Sequence, residues 1–180
     1  FGSVTAAVVS VLSYFSNAEQ LQQFVFWSFG TLGNVSWDGI LILVSCIAIG
    51  LLISMFTIKA LNALLLGENY AKSMGINLKL ATFWIIIATS LLAGSITAFT
   101  GPIAFIGLAV PHLTRQYINS SNHMVLLPAV FMSGAVLMLI CDTVAQLPFS
   151  ELTLPINAIT SLIGAPVVIW LLVRKRKLFF

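Results

Sequence analysis

Between Lys79 and Arg115 the chain runs for 35 residues without a charged side chain. No water-facing surface tolerates such a stretch, and no single helix needs it, because a membrane crossing takes about 20 apolar residues. Thr100-Gly101-Pro102 interrupts it with turn signals. The stretch therefore reads as two membrane spans, about Leu80–Phe99 and Ile103–Tyr117.

Other uncharged segments follow the same rule. Gly39–Ile58, Met124–Cys141 and Leu154–Val173 each suit one span. Phe1–Ala18 is a shorter apolar segment, read as a span whose start is missing because the chain was cut from a longer one. The reading is all-α, a polytopic transmembrane bundle of six spans, the first truncated, with short interfacial and broken helices. Only eight basic and five acidic residues occur in 180, and mean hydropathy is +1.07. A soluble enzyme, a disordered chain and a nucleic-acid binder are excluded on that count.

Charge placement orients the spans. Basic residues stay on the cytoplasmic side. Arg174, Lys175, Arg176 and Lys177 put the C-terminus inside, and Lys59, Lys72, Lys79 and Arg115 then fall inside or at the inner boundary. Glu19, Asp38 and Glu151 fall outside, with Asp142 at the outer boundary.

The linkers carry further information. Trp27 and Trp37 around Gly30 and Gly33 suggest a short helix and turn at the outer interface. On the cytoplasmic side, Gly67 and Gly75 would close two short helices, Ala60–Leu66 and Glu68–Met74. Leu61, Leu64 and Leu65 would share one apolar face; Tyr70, Ala71 and Met74 would share another. Such faces either pack on the ends of their own spans or dock a soluble partner. In the last span Pro148, Pro155, Asn157, Gly164 and Pro166 are breakers, and broken helices at membrane depth lie inside protein or line a cavity. Asn157 would cap a short helix running to about Leu162.

Few residues suggest chemistry. Cys46 and Cys141 read as packing residues. His112, next to Pro111, lacks partners at metal-ligand spacing and reads as structural, with a proton relay as the alternative. Asp142 reads as an interfacial, solvated acid. No metal site, no paired nucleophile and base, and no Gly-rich phosphate loop is present. Catalytic residues and cofactors are not expected.

Four blocks, in order, resemble the permease subunits of bacterial ABC importers for iron-siderophores, haem and cobalamin, the FecCD-type or BtuC-like family. Trp27-Ser28-Phe29-Gly30-Thr31-Leu32 with Trp37 is similar to W-x-x-G-S-L and its downstream W. Leu66-Gly67-Glu68-Asn69-Tyr70-Ala71-Lys72-Ser73-Met74-Gly75 is similar to L-G-E-x-x-A-x-x-L-G. Gly101-Pro102-Ile103-Ala104-Phe105-Ile106-Gly107-Leu108-Ala109-Val110-Pro111-His112 with Arg115 follows G-P-I-x-F-[IV]-G-L-x-x-P-H-x-x-R. Leu154-Pro155-Ile156-Asn157-Ala158-Ile159-Thr160-Ser161-Leu162-Ile163-Gly164-Ala165-Pro166 resembles L-P-V-G-x-V-T-A-L-I-G-A-P.

The resemblance implies that residues 1–180 form the C-terminal half of a permease in the bacterial inner membrane. It implies a homo- or heterodimer of permeases, a cytoplasmic ABC ATPase dimer that binds ATP and Mg, and a periplasmic substrate-binding protein. The cargo would be an iron chelate of siderophore or haem type, with cobalamin as the alternative; a proton-coupled secondary transporter is the rival class. Leu64, Leu65, Gly67, Glu68, Tyr70, Ala71, Ser73, Met74 and Gly75 would form the ATPase-coupling loop. Gly101, Pro102, Pro111, Pro155, Asn157, Thr160, Ser161 and Gly164 would shape the translocation pathway. Gln146 and Glu151 would face the binding protein. Gln146 stands where the family often has Arg, Thr153 stands where it has an acid, and Asn157 stands for its Gly.

Overall fold

The computed structural model describes residues 2–33, 35–146 and 154–176. Among them every regular element is a helix: α1 Gly2–Phe15, α2 Ala18–Phe29, α3 Trp37–Leu64, α4 Glu68–Ser73, α5 Leu78–Thr100, α6 Ile106–Ile118, α7 His123–Ala145 and α8 Ile156–Arg176. Each long helix starts or stops where the sequence supplies a device. Ser36 caps α3 by accepting from Gly39 N–H, Asn77 caps α5 through Leu80 N–H, and Asn122 caps α7 through Met124 N–H.

α3, α5 and α7 are long and apolar enough to cross a membrane. α1 and the stretch Ile156–Trp170 are shorter apolar helices. Three sequence expectations change. The short helix placed at Ala60–Leu66 is the end of α3, which continues unbroken to Leu64. Ile103–Tyr117 is helical only in part: α6 has 13 residues, about 20 Å of rise against a hydrocarbon core of about 30 Å, and non-helical chain precedes it. α8 is also unbroken through Gly164 and Pro166. Pro166 forfeits one hydrogen bond, to the carbonyl of Leu162, and its neighbours keep the ladder.

The interior is built mainly from small side chains, with Val110, Leu126, Ile156 and Ile159 among the larger ones. Ala63, Ala71, Ala88, Ala109, Cys141 and Ala145 are buried, as are Thr57, Thr100, Thr114 and Thr160, while bulky side chains such as Phe56, Leu41 and Leu139 face outward. Small interfacial residues let helix backbones approach when lipid surrounds the bundle. At the α3–α5 contact, a Cβ on Gly50 would stand 2.6 Å from Leu92 Cγ. The buried threonines bond within their own helices, Thr57 to Ser54 O and Thr114 to Val110 O at 2.8 Å each. Their hydroxyls thus present no unpaired polar atom.

α6 packs between α7 and α8, and α7 also meets α3 and α8. Cys141 and Ala145 of α7 and Ile159 of α8 form a buried cluster. The bundle has two distinct ends. One gathers the end of α2, the α5–α6 break and the start of α8; the other holds α4 and the start of α7.

Candidate functional site

The break between α5 and α6 is irregular backbone that other elements satisfy. Gly101 ends α5 at φ +79 and ψ 176, a conformation almost confined to glycine that costs a side-chain-bearing residue about 1–3 kcal/mol. Gly101 is also a site of backbone approach: an added Cβ would collide with Trp27 O and stand 3.1 Å from Gly30 Cα. Around it, Thr31 N–H donates to Thr100 O at 3.0 Å, and the Trp27 indole N–H donates to Ala98 O at 3.2 Å. Beyond Pro102, Ala104 N–H donates to Asn157 Oδ1 at 3.1 Å. The crossing joins α2, α5, α6 and α8 through groups freed by the break, as buried irregular backbone in a membrane protein requires.

Phe105 completes the turn into α6 at φ +66. A non-glycine residue there stores about 1–3 kcal/mol. Its carbonyl starts α6, accepting from Ala109 N–H at 2.8 Å, and its Cβ packs directly on Gly164. Gly164 is therefore a contact glycine on a continuous helix, and not a break in the pathway as expected. Thr160 also departs from expectation. It is fully buried, and its hydroxyl bonds Asn157 O at 3.2 Å, so it offers no hydroxyl to a passage. Ser161, next to it, is half-buried. Pro111 lies inside α6, away from the crossing.

A cleft of about 750 Å³ opens beside the crossing. Phe26, Phe29, Thr31 and Pro155 line it, with Asp142 and Gln146 on one wall. Gln146 Nε2 donates to Asp142 Oδ2 at 2.7 Å. The two side chains occupy each other at the rim. Glu151 lies outside the described residues.

At the other end the α3–α4 corner presents apolar side chains. Leu65, Leu66, Tyr70 and Met74 are exposed, each by roughly half or more of its surface. Ala71 is not part of that face. It is 0% exposed and anchors α4, its carbonyl accepting from Ile76 N–H. Leu64 is half-buried at the end of α3, and Glu68 and Ser73 are exposed. Gly67 and Gly75 flank α4 at φ +102 and +79. A cleft of about 540 Å³ between α3 and α5, lined by Phe56, Ile76 and Trp84 among others, lies next to α4.

Sequence reasoning missed the roles of four residues. Trp27 stands out in the sequence as an interfacial residue and as the first of a family block, and its indole bond to α5 has no sequence signature. Phe105 carries no mark of positive φ. Asn62 and His123 lie 61 residues apart, and their contact is invisible until α3 and α7 pack. Among the described residues no three His, Cys, Asp or Glu side chains come together as a metal site would require.

These features define an all-helical membrane domain with a sealed backbone crossing at one end and an apolar corner at the other. The chain belongs to the FecCD transport family, whose model matches residues 1–174. It is 37% identical over 175 residues to the hemin transport system permease protein HmuU of Yersinia pestis, covering 97% of this chain and 52% of that protein. The vitamin B12 import system permease protein BtuC of Klebsiella pneumoniae matches at 37% identity over 175 residues, with the same coverage of 97% and 52%. A solved chain of an ABC transporter assigned to the metal-chelate type, in an inward-facing conformation, superposes with a TM-score of 0.83 at 33% identity, covering 96% of this chain and 57% of that one. The chain spans about half the length of the curated relatives it matches.

Proposed function

We propose that this chain is the C-terminal half of a permease subunit in an ATP-driven bacterial importer, passing a metal chelate inward from a periplasmic binding protein. The observation that carries the reading is the α3–α4 corner. An apolar surface made by Leu65, Leu66, Tyr70 and Met74, held by buried Ala71, sits between two membrane-length helices. A soluble partner that covers this face gives it a purpose, and family membership supports the ABC ATPase as that partner. Lys59, Lys72 and Lys79 flank the corner, which supports an inside location by the positive-inside rule. The crossing and its cleft then face the periplasm, where the binding protein delivers cargo. The C-terminus is cytoplasmic, in the inner membrane.

The permease acts as a dimer around a central passage and performs no covalent chemistry; ATP and Mg belong to the partner. An iron chelate of haem or siderophore type is the proposed cargo. The hemin and vitamin B12 relatives, equally similar to this chain, support a metal chelate as the class.

The test is uptake by the full-length importer in liposomes, with its ATPase inside and its binding protein outside. Accumulation of a labelled iron chelate should require ATP and survive a proton uncoupler. Uptake that ignores ATP and collapses with the proton gradient would make the protein a secondary transporter instead. Preference for cobalamin over iron chelates would reassign the cargo alone.

A further inference from the structure

Asn62 lies two residues before the end of α3 and six before α4. Its amide reaches the start of α7 with both of its ends. Oδ1 accepts from the His123 backbone N–H at 2.8 Å and stands 2.7 Å from His123 Nδ1. Nδ2 donates to Asn122 Oδ1 at 2.9 Å. That Asn122 oxygen also caps α7 through Met124 N–H at 2.9 Å. An amide oxygen only accepts, so the His123 ring presents a protonated Nδ1 to it. One side chain therefore holds the cap and the first residue of α7 together.

The far end of α7 is equally tied. Cys141 and Ala145 pack on Ile159 of α8, and Ala145 O accepts from Leu154 N–H at 2.8 Å. α7 is thus a 23-residue rod fastened at one end to the α3–α4 corner and at the other to the segment that enters α8. Packed apolar surfaces slide in small steps. A two-ended amide contact has fixed direction and register.

We propose that Asn62 is a positioning residue that transmits displacement of the α3–α4 corner to α7, and through α7 to the crossing end. The inference rests on reading that corner as the ATPase contact. Without Asn62, a moving corner slips against α7, and the two ends of the bundle change independently.

The experiment uses the full importer in liposomes with its ATPase and ligand-loaded binding protein. Asn62→Ala should leave complex assembly and basal ATP hydrolysis within about twofold of the parent. Stimulation of hydrolysis by the binding protein, and uptake per ATP consumed, should each fall at least fivefold, because these readouts require the two ends to communicate. Asn62→Asp keeps the oxygen for His123 and removes the donor to Asn122. It should assemble normally and show a partial loss of coupling, and it decides the matter if the alanine variant does not assemble. Unchanged uptake per ATP in an assembled variant would overturn the proposal. A loss of uptake that tracks only the amount of assembled complex would do the same, reducing Asn62 to a static brace. A parent complex whose hydrolysis does not respond to the binding protein would instead overturn the importer reading.

Discussion

Asn157 Oδ1 accepts the backbone N–H of Ala104 across 53 positions of sequence. The bond places a side chain from the first turn of α8 against the peptide that leads into α6. It supplies a partner to a donor that the break after α5 would otherwise leave unpaired. Asn157→Leu removes the acceptor and keeps comparable bulk. A buried unpaired N–H costs about 1–3 kcal/mol. Asn157→Leu should lower the melting temperature of the purified complex, and Asn157→Asp, which keeps an oxygen there, should lower it less. Equal melting of all three would show that water serves Ala104 as well.

Gly101 makes a sharper case. Gly101→Ala adds both positive-φ strain and a collision with Trp27 O. A destabilisation of about 2–4 kcal/mol is expected. Gly94, on α5 with nothing within 4 Å of an added Cβ, is the control. Gly94→Ala should be neutral or stabilising by about 0.5–1 kcal/mol. Thermal or denaturant unfolding of detergent-purified protein compares the pair directly.

Ala71 and its exposed neighbours should separate. Leu66→Asp and Met74→Asp alter the outward face alone, so ATPase co-purification should fall several-fold while the permease still inserts and folds. Ala71→Arg forces a long charged side chain into a filled site. It should reduce the yield of folded permease before any question of partner binding arises. Normal ATPase recovery with both aspartate variants would remove the corner from the interface.

Thr160 and Ser161 differ in the same way. Thr160→Val loses a hydroxyl bonded only within its own helix and should cost less than about 1.5 kcal/mol. Thr160→Trp overfills a closed site and should disrupt the packing of α8. Ser161→Trp is accommodated at a half-buried surface and should obstruct uptake while assembly persists. Full uptake by a stable Ser161→Trp complex would take this face of α8 out of the passage.

Orientation is open to a direct measurement. With Cys46 and Cys141 replaced by alanine, a cysteine at Gln22 should react with an impermeant thiol reagent added outside intact cells. One at Asn69 should react only after permeabilisation. The reverse pattern would invert the topology.

Much of this architecture was legible in the sequence. Uncharged stretches located α3, α5 and α7 because a charge inside a bilayer is costly enough to leave a visible gap. Gly67 and Gly75 marked α4, and Thr100-Gly101-Pro102 marked the break. The misreadings share one origin. Gly164 and Pro166 look like interruptions in the sequence because both weaken an isolated helix, yet the missing Cβ of Gly164 makes room for Phe105, a contact from 59 positions away. The charge gap also ran on through α6 without revealing that residues 101–105 are not helical. Asn62 and His123 were opaque for the same reason: the meaning of each polar group depends on a distant neighbour, and local pattern carries no distance.

The approach of Gly101 to Gly30 and the Trp27 carbonyl has a consequence for how such a protein can diverge. Where side chains interlock, a loss on one side can be repaired by a gain on the other, and the pair drifts together. Here the surfaces in contact are main chain. No enlargement at one position can be matched by a reduction at its partner, since neither has anything left to remove. The helices around the crossing are free to exchange one apolar residue for another, and their lipid-facing surfaces can be rewritten almost at will. The crossing itself is a fixed point, and sequence change has to go around it.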